Sequence, residues 1–169
     1  AYPSCAADAK GLLKMACRMD DPVIFMEHKG LYRQGYAATK EPDADYLLSF
    51  GKGKKVLEGD EVTVITWGAM VQKSLEAIQS LEIPNQSVEV IDLRTLNPLD
   101  VDLIETSIMK TSKALVVHED NITSGPGAEI AAIIADKFFE LLDAPVRRVG
   151  AKDSPVPFNW IIEEEILPQ

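Results

Sequence analysis

A regular alternation between two kinds of apolar segment, from residue 62 onward, most constrains the fold. Short β-branched runs at 62–66, 88–93, 114–117 and 145–149 are separated by segments whose apolar residues recur at helical spacing. Strands that alternate with helices are typical of a mainly parallel sheet, and right-handed crossovers place the helices on both faces. The sequence therefore predicts an α/β fold of this kind.

Three helices are expected between these strands, at 69–81, about 99–111 and 128–142. The first is expected to end at Ile83-Pro84-Asn85, because proline cannot continue a helix.

The composition fits a soluble globular protein of one domain and a fraction, with 169 residues of which 46% are hydrophobic and 26% charged. A net charge of −10 argues against a nucleic-acid partner and suits a basic one.

Cys5 and Cys17 support neither a zinc site nor a disulfide framework, so a reducing compartment is expected. No apolar run approaches the ~20 residues of a membrane span. The missing initiator Met suggests a processed or excised start.

The first part of the chain has a different pattern. Ser4 is expected to cap a helix that runs to about Arg18, and the run at 23–27 reads as a strand. One helix and one strand cannot bury their apolar faces alone, which suggests the end of an upstream domain. The expected parts are that domain end at 1–35, a linker at 36–55 and the α/β domain at 56–169.

Ligands of open parallel sheets bind beyond the carboxyl ends of the strands, which directs attention to Trp67-Gly68, Arg94–Asn97 and His118–Gly127. The turn Ser124-Gly125-Pro126-Gly127 could present backbone N–H groups to a phosphate. Because proline removes one donor, a plain turn is favoured.

His118 is followed by Glu119 and Asp120, which could serve acid–base chemistry or metal binding. Since neighbouring strand residues point to opposite faces, a structural His118, hydrogen-bonded at the strand end, is favoured.

His28 and Lys29 follow the run at 23–27, with Arg33 close behind. They form either a solvated or interface cluster or a positive lip that steers a carboxylate substrate. Asp143 reads as a solvated turn residue.

Several motifs, in collinear order over nearly the whole chain, resemble the beta subunit of thiamine-dependent 2-oxoacid dehydrogenases, the decarboxylating component of those complexes. The motifs are EHKGLYRQ, VTVITWGAMV, SVEVIDLRTLNPLD, KTSKALVVHEDN, GPGAEIAA, LDAPVRRV and DSPVPF. The opening YPSCAADAKGLLK is similar to the last helix of the family's pyrimidine-binding domain, and 56–169 looks like its transketolase C-terminal domain.

The resemblance implies that thiamine diphosphate and Mg²⁺ lie between the alpha subunit and the upstream part of beta. The family's activating glutamate and active-site histidine would precede Ala1, so no catalytic residue is assigned here and the fragment alone is expected to be inactive. The parent reaction would be oxidative decarboxylation with acyl transfer to lipoyl-lysine.

The resemblance also assigns other sites. Backbone carbonyls of Ala16, Met19 and Asp21 would bind a structural potassium ion, and Asp143 would dock the basic binding domain of the lipoyl acyltransferase. His28 and Lys29 would stand at the substrate entrance, by analogy with transketolases.

Further expected partners are the alpha subunit, or an alpha half of a fused chain, and a second beta subunit, in the cytoplasm or an organelle matrix.

The motifs EHKGLYR and DADY favour branched-chain 2-oxoacids over pyruvate as the substrate. The chain stops at ILPQ, where relatives continue into a further helix. A different transketolase-like enzyme, such as deoxyxylulose phosphate synthase, and a non-catalytic interaction module remain the alternatives.

Overall fold

A computed structural model describes residues 1–81 and 87–168, so the expected helix end at Ile83-Pro84-Asn85 lies outside the described residues. At the centre of these described residues lies a five-stranded sheet with the strand order β1-β3-β2-β4-β5. The strands are β1 Lys54–Leu57, β2 Val62–Thr66, β3 Val88–Asp92, β4 Ala114–Asn121 and β5 Arg147–Ala151.

The sheet is mainly parallel, as the sequence predicts. Strands β2 and β3, β2 and β4, and β4 and β5 pair in parallel, whereas β1 pairs with β3 antiparallel. Strand β1 spans the expected boundary between linker and domain at residue 55, so the sheet includes residues that the sequence assigns to the linker.

In the described parts of the chain, five helices accompany the sheet: α1 Ala6–Ala16, α2 Ala69–Ser80, α3 Val101–Thr111, α4 Pro126–Lys137 and α5 Trp160–Ile166. The expected helix at 128–142 is too long, because α4 ends at Lys137 and a separate 3-10 turn, Phe139–Leu141, follows it. No helix among the described residues is long and apolar enough to cross a bilayer.

Helices cover both faces of the sheet, which confirms the α/β prediction. On one face, α3 and α4 bury apolar side chains against Ile65, Ile91 and Val116. Helix α2 lies on the other face, where Leu75 and Ile78 pack against the cluster of Val64, Val88 and Val90.

The expected strand at 23–27 is wrong. A strand needs a neighbour to pair with, but this stretch has no regular structure, and the backbone N–H of Met26 donates to the carbonyl of Ala1 instead (2.9 Å). The expected cap is also wrong: α1 begins after Cys5, and the Ser4 hydroxyl is used elsewhere.

Candidate functional site

The carboxyl edge of the sheet, where parallel-sheet proteins bind ligands, is covered by the chain's own N-terminal segment. The backbone N–H of Tyr2 donates to the carbonyl of Arg94 at 2.7 Å. The Tyr2 ring lies against Gly68, where a Cβ atom would come within 2.4 Å of it. Gly68 also has a φ of 58°, so both conformation and space require glycine there.

Two further contacts attach the same segment to the end of β3. The Ser4 hydroxyl donates to Oδ2 of Asp92 at 2.5 Å, and the buried side chain of Arg94 forms an ion pair with Asp8 of α1. Arg94 is therefore engaged within the chain. The segment Arg94–Asn97, where the sequence predicts a possible ligand site, thus serves to attach α1 to the sheet.

Burial is the main cause that raises the pKa of Asp92 to about 6. The hydrogen bonds from Ser4 and from the backbone N–H of Arg94 (2.9 Å) act in the opposite direction, because they favour the carboxylate. Asp92 therefore titrates near neutral pH at the junction between α1 and the sheet.

His118 has a structural place, but the expected hydrogen bond is wrong. Its side chain is fully buried, and its ring stacks on Trp67 with centroids 5.6 Å apart and planes 5° from parallel. Neither ring nitrogen has a hydrogen-bond partner among the described residues. Burial lowers the pKa of His118, since desolvation disfavours the imidazolium.

Glycines surround the His118 ring and explain the turn before α4. A Cβ atom at Gly127 would lie 2.3 Å from both Cδ2 and Nε2 of His118, and one at Gly125 or Gly150 would lie 3.0 Å from Cε1. Gly125 is the N-cap of α4 and Pro126 its first residue. Gly127 therefore makes room for the imidazole, whereas a Cβ atom at Gly125 would first meet the carbonyl oxygen of Asn121, at 2.2 Å. Both glycines fit the favoured interpretation of a plain turn.

His28 pairs with Glu119, a contact that the sequence did not predict. Nε2 of His28 lies 3.1 Å from Oε1 and 3.0 Å from Oε2 of Glu119. Glu119 points away from the buried His118, as expected of neighbouring strand residues. The pair joins the N-terminal part of the chain to the end of β4, and it gives the imidazole an orienting carboxylate.

A cavity of about 510 Å³ opens beside this pair. Its walls are mostly apolar and include His28 and Arg33, whereas Lys29 is exposed and lies outside the lining. Arg33 has a positive φ of 62°, an unusual conformation for a residue other than glycine. Glu27, on the same wall, accepts a hydrogen bond of 2.5 Å from the Tyr32 hydroxyl.

The expected potassium ligands lie at the end of α1. The Ala16 carbonyl accepts the backbone N–H of Met19 at 3.2 Å, and Met19 and Asp21 line a second cavity of about 460 Å³. Within residues 1–81 and 87–168, no three His, Cys, Asp or Glu side chains are grouped to hold a metal. Any cation here would depend on backbone oxygens.

Asp143 is exposed in the turn between α4 and β5. Its backbone N–H donates to the carbonyl of Ser112 at 2.9 Å, which fixes the turn. A shallow groove of about 690 Å³ is lined by Asp143 itself together with alanines of α4, Phe139 and Arg148.

A family model described as "Transketolase, C-terminal domain" matches residues 51–169. Two similar curated proteins are the pyruvate dehydrogenase E1 component subunits beta of Staphylococcus epidermidis (strain ATCC 12228 / FDA PCI 1200) and Staphylococcus aureus (strain Mu50 / ATCC 700699). Each is 44% identical over 157 residues, which cover 93% of this chain and 48% of the relative. The chain thus spans about half the length of these relatives.

A solved structure described as "Split gene transketolase, inactive beta4 tetramer" has a TM-score of 0.74 to this chain at 26% sequence identity. The match covers 99% of this chain and 52% of that one. It therefore includes the N-terminal segment as well as the sheet.

Proposed function

The chain belongs to the family of transketolase C-terminal domains, and from that membership we propose that it is the C-terminal part of the beta subunit of a thiamine-dependent 2-oxoacid dehydrogenase. The observation that carries the proposal is the extent of the similarity to the pyruvate dehydrogenase E1 beta subunits. It covers 93% of the chain and so reaches into residues before the family match at 51. Most of the segment before residue 51 is thus part of the similarity.

The 2-oxoacid that we propose is pyruvate. The predicted preference for branched-chain 2-oxoacids depends on short motifs alone, whereas the similar curated proteins are named for pyruvate. The reaction of the whole enzyme would be oxidative decarboxylation of pyruvate with transfer of the acetyl group to lipoyl-lysine, in the cytoplasm or an organelle matrix.

This chain would contribute to the assembly of the enzyme and to the entrance for the substrate, with no catalytic residue of its own. Thiamine diphosphate with Mg²⁺ would supply the carbanion-stabilising chemistry in the whole enzyme. The described residues offer no cluster of metal ligands, and the carboxyl edge of the sheet is filled by Tyr2 and Ser4. The chain alone would therefore neither bind the cofactor nor decarboxylate a 2-oxoacid.

The cavity beside His28 would lie at the substrate entrance. His28 is held by Glu119, and the Arg33 guanidinium adds a positive charge to the lining, which suits an approaching carboxylate. Lys29 is exposed nearby and would add to the same potential. These residues would steer substrate and would not react with it.

A potassium ion would bind at the carbonyls of Ala16, Met19 and Asp21. Backbone carbonyls are oxygen ligands of the kind a hard cation prefers, and the Ala16 carbonyl, which accepts one hydrogen bond, keeps a second lone pair. A higher midpoint of thermal unfolding in potassium chloride than in sodium chloride of equal ionic strength would support this site.

Asp143 would contact the basic binding domain of the lipoyl acyltransferase. Its carboxylate is exposed, and the chain carries a net charge of −10. Arg148 lines the same groove, and its positive charge would repel a basic partner. The basic residues of the partner would therefore have to contact Asp143 directly. The alpha subunit, or an alpha half of a fused chain, and a second beta chain would complete the assembly.

Calorimetry with the acyltransferase binding domain of a pyruvate dehydrogenase complex tests this role. We expect binding that weakens with salt and that Asp143→Ala reduces, because an exposed charge pair is screened by ions. Asp136→Ala is the matched control, since Asp136 is an exposed carboxylate on α4 outside the groove lining. Absence of binding by the unmodified chain would count against the docking role, and stoichiometric binding of thiamine diphosphate would contradict the assignment of the cofactor site to other parts of the enzyme.

A further inference from the structure

One loop forms most of the wall that faces α1 across the cavity beside His28. The α1 side contributes Cys5, Ala6 and Ala9 to the lining, and the other side consists largely of residues between Leu31 and Ala38. We call residues 29–38 the strap. Because the cavity lies between the strap and α1, any movement of the strap away from the helix widens the cavity.

Side chains fasten the chain to its surroundings at both ends of the strap. Just before it, Nε2 of His28 lies 3.0 Å from Oε2 of Glu119 on β4, and the His28 ring rests on Gly30, where a Cβ atom would come within 2.7 Å of Cε1. Just after it, the Thr39 hydroxyl accepts the backbone N–H of Ala7 at 2.8 Å. The first N–H groups of a helix lack intrahelical partners, so this second bond also satisfies the beginning of α1.

Between these two ends, no hydrogen bond in the described chain joins the strap to another helix or strand. Its backbone bonds are local, such as the bond from the N–H of Leu31 to the carbonyl of His28 at 3.0 Å, and they belong to short 3-10 turns. The Tyr32 hydroxyl donates to Glu27, only five residues away. Such turns have poorer hydrogen-bond geometry than an α-helix, so they hold the strap together without holding it in place.

Side-chain packing also contributes little to the position of the strap. Of residues 29–38, all of which the structure describes, only Ala37 is buried. Tyr32 is 55% exposed and Tyr36 is 50% exposed, and nothing lies within 4 Å of a Cβ atom built on Gly35. Few buried contacts and purely local hydrogen bonds are the features of segments that open at low cost in free energy.

We propose that the strap opens and closes over the cavity, and that the pair of His28 with Glu119 keeps it closed. When the pair breaks, the strap moves away from α1 about its attached end at Thr39, and the cavity admits a ligand. Glu119 is thus a positioning residue that controls access to a cavity it does not line. The inference deepens the proposed function and rests on it for the identity of the ligand, since the cavity is the proposed substrate entrance. Loops of this kind commonly limit the rate at which ligands enter and leave a site.

The two cysteines of the chain provide a direct measurement of opening. Cys5 is partly buried and lines the cavity, whereas Cys17 is exposed and lies outside the lining. The rate at which a bulky maleimide modifies each thiol can be followed by mass spectrometry at a single pH. Opening of the strap should expose Cys5 and leave Cys17 as it is, so the ratio of the two rates reports the position of the strap.

Glu119→Ala should raise the rate at Cys5 roughly three- to tenfold, because it removes a charge-assisted hydrogen bond from the closed state alone. Glu119→Gln keeps an oxygen that can accept a hydrogen bond from His28, so its rate should stay near that of the unmodified chain. Glu105→Ala is the matched control, since Glu105 is an exposed carboxylate on α3, and it should leave the rate unchanged. A Cys5 rate that Glu119→Ala does not raise would overturn the proposal.

Amide hydrogen exchange distinguishes opening of the strap from a general loss of stability. In Glu119→Ala, the amides of residues 29–38 should exchange faster, while those of β2 and β3 should exchange as in the unmodified chain. Faster exchange in the sheet as well would overturn the proposal, because Glu119 would then stabilise the whole fold. Neither measurement requires a 2-oxoacid, so a failure of this inference can be told apart from a failure of the proposed function.

Discussion

Arg94 and Asp8, 86 residues apart in sequence, form a bidentate ion pair in which Nε donates to Oδ2 at 2.7 Å and Nη2 donates to Oδ1 at 2.8 Å. The two side chains are only 10% and 4% exposed. This pair, together with the bond from Ser4 to Asp92, makes α1 part of the same packed unit as the sheet. The helix that the sequence assigns to an upstream domain is thus held by side chains of the downstream one.

Asp8→Asn should destabilise the chain strongly. Removing one partner of a buried pair leaves the Arg94 charge without compensation, which typically costs about 3–5 kcal/mol. Urea unfolding followed by circular dichroism measures the difference. Lys10→Ala is the matched control, because the ion pair of Lys10 with Glu41 is near the surface and its loss should have little effect. Equal effects of the two substitutions would contradict the structural role of the buried pair.

Gly127→Ala should also destabilise the chain, for a steric reason. The new Cβ atom would lie 2.3 Å from the His118 ring, and overpacking of this kind typically costs about 1–3 kcal/mol. Gly35→Ala is the control, since nothing lies within 4 Å of a Cβ atom there.

A double-mutant cycle attributes that loss to the imidazole. Combining Gly127→Ala with His118→Ala should cost less than the sum of the two single changes, by roughly 0.5–3 kcal/mol. Strict additivity would mean that the glycine is required for another reason.

The sheet could be predicted from the sequence because local patterns decide it. The runs 62–66 and 88–93 are apolar and β-branched, and the structure places strands at both. Strand β1 was missed because Lys54 and Lys55 sit among glycines and charges, as in a linker. Helix α5 was missed although Asn159 caps it, its side chain accepting the backbone N–H of Ile161.

The contacts of the candidate site could not be predicted because they join distant residues. His28 and Glu119 are 91 residues apart, and Ser4 and Asp92 are 88 apart. Neither pair leaves a periodic or local signal in the sequence. Gly125, Gly127 and Gly150, which lie around His118, are a partial signal of its crowded surroundings. Glycines near a strand end often mark a place where other groups approach the backbone closely.

Asp92 should contribute a pH dependence that Asp92→Asn removes. Its pKa is raised to about 6 in the folded chain, so the folded state holds the proton more tightly than the unfolded state does. The stability from this group is complete below the unfolded pKa of 3.8 and is lost as the pH rises through about 6. The difference is on the order of 3 kcal/mol.

Urea unfolding at several pH values between 4 and 7 measures this contribution as the difference between the unmodified chain and Asp92→Asn. Asparagine can still accept from the Arg94 N–H and bond to Ser4, so the fold should persist. The unmodified chain should gain stability relative to the variant as the pH falls. A difference that stays constant over this range would show that Asp92 does not titrate there.

His118 should act in the opposite direction over the same range. Burial lowers its pKa, so its contribution is present above the unfolded value of 6.5 and is lost as the pH falls through the folded value. His118→Phe, which keeps a ring against Trp67, should lose less stability on acidification than the unmodified chain does.

The chain has two histidines, so NMR can follow each ring separately. The His118 ring signals should remain those of neutral imidazole at pH 6.5 and change only at lower pH, because the cage of glycines and Trp67 offers the imidazolium no hydrogen-bond partner among the described residues. Protonation of His118 at or above pH 6.5 would contradict its burial as a neutral ring.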